Sequence, residues 1–190
     1  MDNTDTANEK QLIERVIKGS TIAFEQLMHP YAKALVNYIM YRIKNEANAK
    51  DIIQDTMLSI WQNIASFSHR SSFKTWTYTI ARRRLADFYR TGAKHETSPL
   101  NDYANNLPAK DSLTESEERM DIRQAMQSLD HKDNELVHLI FQAQLSYQEI
   151  SEVLGIPVGT IKSRMSAIKG KLRPLLETGV KDKKDVEHGV

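Results

Sequence analysis

The 190-residue chain contains no cysteine, which excludes disulfides and thiolate metal sites. It has only seven glycines, and no Gly-rich loop that could cradle a phosphate. No stretch approaches 18 consecutive apolar residues, so no transmembrane helix is expected. The N-terminus, MDNTDTANEK, lacks the apolar core of a secretory signal. Excess charge is missing too: the net charge is +1, unlike a histone-like protein coated in cations. Six histidines (His29, His69, His95, His131, His138 and His188) are scattered, with no HExxH pair and no close metal spacing. Ser163 and Ser166 lack a nucleophile elbow, and acid pairs such as Glu117-Glu118 precede a helix and suit its N-terminal dipole. These gaps predict a soluble intracellular protein that is not an enzyme and needs no metal or cofactor.

What is present is helical periodicity, with no alternating strand pattern and no internal repeat. Glu9–Lys18 reads as a short helix, broken at Gly19-Ser20, with Ser20 placed to cap the next. Thr21 to about Lys44 carries apolar residues at a period near 3.6, and Pro30 within it predicts a kink or boundary. Asn48 to about Ala65 forms a third helix, with Ile53, Met57, Ile60, Trp61 and Ile64 as its buried stripe. A fourth, capped by Ser71 or Ser72, runs to about Arg90 and stops at Gly92. Residues 93–112, with Pro99 and Pro108 and little apolar content, read as a flexible linker. Helices are then expected over Leu113–Ser128 and Lys132 to about Ala143. The fold class is all-α: two small helical domains, an N-terminal bundle near 8–92 and a C-terminal helix-turn-helix domain near 113–177. A flexible tail, 178–190, follows.

The C-terminal stretch LSYQEISEVLGIPVGTIKSRMSAIKGKLR carries the densest local information. Ser146 and Glu149 form a capping box that starts a helix whose apolar face is Tyr147, Ile150, Val153 and Leu154. Gly155 stops that helix, and Pro157 suits the first turn of the next. Val158, Ile161, Met165, Ile168, Leu172 and Leu176 then recur as one apolar stripe. Between Gly155 and Leu176 stand five Lys or Arg residues and no acid. Two ordinary core helices would satisfy the spacing alone. The single sign of charge favours a helix-turn-helix whose second helix enters the DNA major groove.

Two further stretches have one-sided chemistry. On the third helix, Asp51, Gln54, Asp55 and Gln62 share a narrow arc opposite the apolar stripe, with Leu58 at its centre. A leucine there is either a singly exposed residue or the middle of a partner face. The fourth helix, FKTWTYTIARRRLADFYRT, carries Lys74, Arg82, Arg83, Arg84 and Arg90 against one acid, Asp87. Thr79, Arg83, Ala86 and Arg90 share a face flanked by Arg82 and Trp76, while Trp76, Ile80, Ala81, Leu85 and Phe88 can face the core. Guanidinium groups beside aromatic rings suit single-stranded nucleic acid, through phosphate pairing and base stacking.

Together these stretches resemble the extracytoplasmic-function (ECF) sigma factors, small alternative specificity subunits of bacterial RNA polymerase. SYQEISEVLGIPVGTIKSR looks like their −35 reader, AKDIIQDTMLSIWQ like the segment that docks on the β′ coiled coil, and the fourth helix like the −10 reader. The resemblance implies an alternative sigma factor that binds core polymerase (β′ coiled coil and β subunit) and directs promoter recognition, melting and initiation. It implies polymerase contacts at Asp51, Gln54, Asp55, Leu58 and Gln62. Melted −10 DNA would meet Lys74, Trp76, Thr79, Arg82, Arg83, Arg84 and Arg90. The −35 duplex would meet Thr160, Lys162, Ser163, Arg164, Ser166, Ala167 and Lys171. Arg83 stands where many relatives have Asn, Ser68-His69-Arg70 replaces a usual basic-Gly pair, and Ala167 replaces a common Arg. These departures bear on promoter preference. With no third domain after 177, regulation is expected from outside, by an anti-sigma protein, and no membrane insertion is implied. The competing functions are a helix-turn-helix regulator acting without polymerase and a helical interaction adaptor. The first has no use for the acidic arc, and the second has none for two basic helices.

Overall fold

The computed structural model describes residues 3–43, 45–92 and 129–186, all of whose regular elements are helical. Expectations for the linker at 93–112 and for a helix over Leu113–Ser128 lie outside the described residues. The chain divides into two compact units, Met1–Thr97 and Ser98–Val190.

The first unit holds four helices: α1 (Asn3–Ile17), α2 (Thr21–Arg42), α3 (Glu46–Asn63) and α4 (Phe73–Gly92), with a 3-10 turn at Ile64–Ser66. Their starts follow from local side chains. Ser20 accepts from the Ala23 N–H at 3.2 Å, Asn45 from the Asn48 N–H at 3.0 Å, and Ser72 from the Thr75 N–H at 3.1 Å. α1 begins six residues before the expected Glu9. Pro30 does not end α2. The lost N–H there lies on an exposed turn, and buried Leu27, Met28 and Leu35 hold the helix on both sides.

α2 packs on α1, α3 and α4, and α3 packs on α4. The core is rich in rings: Tyr38 meets Tyr78 at 5.3 Å, Phe24 meets Trp61 at 5.3 Å, and Phe73 meets Phe67 at 5.5 Å. Burial pushes the Tyr78 phenol up, so it stays neutral. Two long-range hydrogen bonds fasten the frame. Tyr31 donates to the Glu9 carboxylate at 2.8 Å, and Tyr89 donates to the Arg42 carbonyl at 2.6 Å. Leu35 and Ile60 are fully enclosed, and truncating either to Ala costs ~2–5 kcal/mol.

The buried stripe of α3 is rotated from the expected one. Ala49, Ile52, Thr56, Ser59 and Ile60 are buried, while Ile53, Met57 and Trp61 are only half-buried. The inward row contains small hydroxyl residues, which let α4 come close but which hydropathy counts as polar.

The second unit shows α5 (His131–Phe141), α6 (Tyr147–Leu154) and α7 (Val158–Val186). α7 packs on both others. It continues to Val186, past the boundary expected at 177 and into the segment expected to be a flexible tail. That segment, KDKKDV, is rich in charged helix formers, so a helix already under way can propagate through it without a core face.

Candidate nucleic-acid interface and partner face

The turn between α6 and α7 is built from local chemistry. Ser146 Oγ accepts from the Glu149 N–H at 3.3 Å, and the Glu149 carboxylate accepts from the Ser146 N–H at 2.9 Å, closing the capping box. Gly155 takes φ 67°, ψ 31° and donates its N–H to the Ser151 carbonyl at 2.9 Å. A Cβ at Gly155 would meet nothing within 4 Å, so the left-handed backbone alone demands glycine. Ser151 Oγ then donates to the Ile156 carbonyl at 2.6 Å, bracing the turn. Pro157 precedes α7, and its carbonyl accepts from Thr160 and Ile161.

Ile161, Met165 and Ile168 bury the inner side of α7 against the unit's core. Lys162, Ser163, Ser166, Ala167, Lys169, Gly170 and Arg173 lie exposed, and Thr160 and Arg164 are half-buried at the margin. The outward face is therefore cationic at its edges and small in its middle, a shape that lets a helix seat closely in a groove.

One expected contact has another partner. Lys171, assigned to DNA by resemblance, is exposed, but its Nζ pairs with Asp133 Oδ2 on α5 at 2.8 Å. The hydrogen bond to Asp133 raises the Lys171 pKa. Asp133 is nearly buried, so the lysine answers a carboxylate that would otherwise be buried without a counter-charge. Neighbouring Asp130 caps α5, accepting from the Asp133 N–H at 2.8 Å. That N–H holds the Asp130 carboxyl below the usual carboxylate range, against the effect of partial burial. Positive charge at Lys171 and Arg164 on α7 adds to the lowering. The Asp-x-x-Asp spacing at 130–133 was the available sequence sign of this cap, but it said nothing of Lys171, 38 residues away.

In the first unit, Asp51, Gln54, Asp55 and Gln62 are all exposed on α3, and Leu58 among them is 50% exposed. Ile60 and Ile64, on the other side, are buried. The expected arc of acids and amides around a leucine is a real surface.

α4 presents Arg83, Ala86 and Arg90 to solvent, with Thr79 and Arg82 half-buried beside them. Arg90 pairs with Asp87 at 2.9 Å on the surface, a contact DNA can replace cheaply. The Thr79 hydroxyl donates to the Thr75 carbonyl at 3.0 Å. Lys74 and Trp76 are half-buried, and Trp76 lies against Phe67 at 5.3 Å and Phe73 at 5.7 Å. The loop before α4 places His69 at φ 56°, a left-handed conformation that glycine adopts more easily, with its ring 4.5 Å from Phe67. A left-handed backbone at a non-glycine residue costs roughly 1–2 kcal/mol, which the ring contact partly offsets.

Arg84 departs from expectation. Its Nε donates to Ser59 Oγ on α3 at 2.8 Å, so the side chain is directed against the neighbouring helix and not presented with Arg83. A lone Ser in an amphipathic helix carries no sequence signal of a partner on another helix, so the Ser59 contact is legible only in the fold.

A helix-turn-helix unit with a cationic outer face, in one chain with a helical unit that has separate acidic and basic faces, is the arrangement of a protein suited to meet DNA and a further partner. Comparison with known proteins makes the class specific. Residues 27–95 match the Sigma-70 region 2 family and residues 119–172 match Sigma-70, region 4. The chain is 30% identical to the ECF RNA polymerase sigma factor SigW of Bacillus subtilis over 182 residues, covering 87% of this chain and 97% of that one. It is also 30% identical to the ECF RNA polymerase sigma factor BldN of Streptomyces coelicolor, over 85% of this chain but 63% of that protein's length. Among solved structures, the sigma factor RpoE in complex with the anti-sigma factor NepR from Bartonella quintana matches with a TM-score of 0.62 and 25% identity, over 81% of this chain and 96% of that one. The chain belongs to the ECF sigma factors of RNA polymerase.

Proposed function

We infer that this protein is an alternative sigma factor, a transcription initiation factor that joins core RNA polymerase and selects promoters for it. Leu58, with Asp51, Gln54, Asp55 and Gln62, forms the polymerase face and meets the β′ coiled coil, while the β subunit is a further contact of the assembled enzyme. Thr160, Lys162, Ser163, Arg164, Ser166 and Ala167 face the −35 duplex. Lys74, Trp76, Thr79, Arg82, Arg83 and Arg90 receive the melted −10 strand, with cations on phosphate and rings on bases. The observation that carries this reading is the half-exposed Leu58 inside an acidic arc, on the same four-helix unit as the basic α4. A DNA-binding regulator working without polymerase has no use for such an arc.

The protein works in the cytoplasm, where its polymerase is, and among the described residues no helix is long and apolar enough to cross a membrane. Its regulator is an anti-sigma protein, a partner class supported by the likeness to RpoE, which was solved with one. Pull-down of core polymerase followed by runoff transcription on promoter fragments tests the reading. Retention of polymerase with promoter-directed transcripts is expected; DNA binding without polymerase retention would return the protein to the plain regulators.

A further inference from the structure

α3 and α4 carry different proposed tasks, polymerase docking and capture of the melted strand, and a buried polar relay joins them. Arg84 Nε on α4 donates to Ser59 Oγ at 2.8 Å, and Ser59 Oγ donates to the Asp55 carbonyl at 2.5 Å. Ser59 is 4% exposed, so this hydroxyl is largely shielded from solvent. Asp55 itself belongs to the exposed acidic arc, and Arg83, next to Arg84, belongs to the exposed basic face. The relay therefore runs from the backbone of one functional face to the helix that bears the other.

The packing around it is largely between side chains with apolar surfaces. α3 and α4 pack on each other, and the buried residues of α4 include Tyr78, Ala81 and Leu85, those of α3 Ile52, Thr56 and Ile60. Apolar packing of this kind resists separation but tolerates small rotations and slides. A guanidinium held by a buried hydroxyl has a narrow geometry, since the bond weakens steeply as its angle departs from linear. An Arg whose only task was to meet phosphate would project with Arg83.

Resting on the sigma-factor reading above, we propose that Arg84 is a positioning residue: through Ser59 it fixes the rotation of α4 against α3 and so aims the strand-capturing face relative to the polymerase-docking face. It binds the helix that binds DNA, and it does not itself bind phosphate. Ser59, though buried, is then a determinant of −10 recognition.

The test uses the full chain assembled with core RNA polymerase. The probe is a pool of single-stranded DNA randomised over the −10 positions, from which the wild-type holoenzyme selects a preferred sequence. Affinity for that sequence, its salt dependence and the selected preference are measured for Arg84→Ala, Ser59→Ala, the double variant, and Ser59→Thr, which keeps a hydroxyl. Arg84→Ala and Ser59→Ala should each lose about three- to tenfold in affinity for the selected sequence and blur the preference. The double variant should be no worse than either single one, and Ser59→Thr should recover most of the loss. The salt slope should not change, and polymerase affinity should stay within about twofold of wild type.

A phosphate contact gives the opposite pattern: Arg84→Ala alone weakens all sequences alike and lowers the salt slope by about one, while Ser59→Ala does nothing. That result overturns the proposal. So does a fall in urea stability for both variants with the affinity and preference of the folded fraction intact, which makes the relay merely structural. If the wild-type holoenzyme selects no sequence at all, the sigma-factor reading fails, and this proposal with it.

Discussion

The two units of the chain reach their working surfaces by different routes. In the C-terminal unit, the helix-turn-helix is shaped almost entirely by neighbours in sequence. Ser146 with Glu149, Gly155 with the Ser151 carbonyl, and Ser151 with the Ile156 carbonyl are each contacts over five positions or fewer. In the N-terminal unit, the surfaces depend on contacts across helices: Arg84 to Ser59 over 25 positions, Tyr89 to Arg42 over 47, Tyr31 to Glu9 over 22. The difference teaches that a cap or turn can be read where it stands, whereas the aim of a side chain across a seam depends on what another helix offers.

The largest expected effect separates the units altogether. Residues 92–113 can span at most about 75 Å when extended. Promoter elements two helical turns apart lie roughly 70 Å apart at ~34–36 Å per turn. The segment is thus long enough for both units to engage one promoter at once. Residues 1–92 and 113–190, supplied as a mixture, should keep their helical circular dichroism but lose promoter-directed initiation by about a hundredfold or more, as effective concentration is lost. Initiation by the mixture at the level of the intact chain would show that joining the units contributes nothing.

Next in size is Leu58→Asp, which tests the one surface of the N-terminal unit that is readable locally. A desolvated apolar centre can carry ~2 kcal/mol or more of binding energy, while the charges around it act mainly on association rate and salt dependence. Because Leu58 is half-exposed, melting temperature should hardly move, yet polymerase affinity should fall at least about tenfold, or ~1.4 kcal/mol. Unfolding of the unit, or undiminished binding, would remove the docking assignment.

The comparison also explains which residues the sequence made legible. Helix starts at Ser20 and Ser146, the Gly155 stop and the inner stripe of α7 were readable because short-range chemistry sets them. The rotated seam of α3 was not, because Thr56 and Ser59 are buried where α4 approaches closely, and their polarity disguised them. Charge and resemblance alone place Arg84 and Lys171 with the DNA contacts, and only the fold shows the hydroxyl and the carboxylate that they meet. The continuation of α7 beyond 177 was hidden because nothing apolar marks it.

Lys162 and Lys171 sharpen this point within one helix. Lys162 is exposed near the start of α7, where side chains reach base edges, and Lys162→Ala should cost roughly 1–3 kcal/mol at one −35 position. Lys171→Ala should instead leave Asp133 buried without its partner and lower the melting temperature of the C-terminal unit. Its −35 preference should stay intact and its salt slope nearly so. Affinities of both variants on a panel of −35 duplexes, with thermal melts, decide it. A sequence-blind loss for Lys162→Ala would reduce that residue to a phosphate contact.

The smallest expected effect concerns Asp130, where a local cap and a cross-helix field coincide. The folded-state carboxyl is held below its ordinary value near 3.8, first by the Asp133 N–H and then, in part, by charge on α7. With the folded pKa lowered, the unfolded chain takes up this proton first as pH falls. The stabilisation is therefore complete above the unfolded value and disappears as pH drops through the folded one. Asp130→Asn keeps a good cap, so the variant should lose at most about 1 kcal/mol at neutral pH, the usual worth of an anion at a helix start. Below about pH 4 the gap between wild type and variant should begin to narrow, and it should vanish only once the pH lies below the lowered folded-state value, where wild-type Asp130 is neutral as well. Urea unfolding of both proteins between pH 3 and 7, reported as a difference, isolates this group from the other carboxylates. A gap that stays constant across that range would mean that the hydrogen-bonding shape of the cap, and not its charge, stabilises the start of α5.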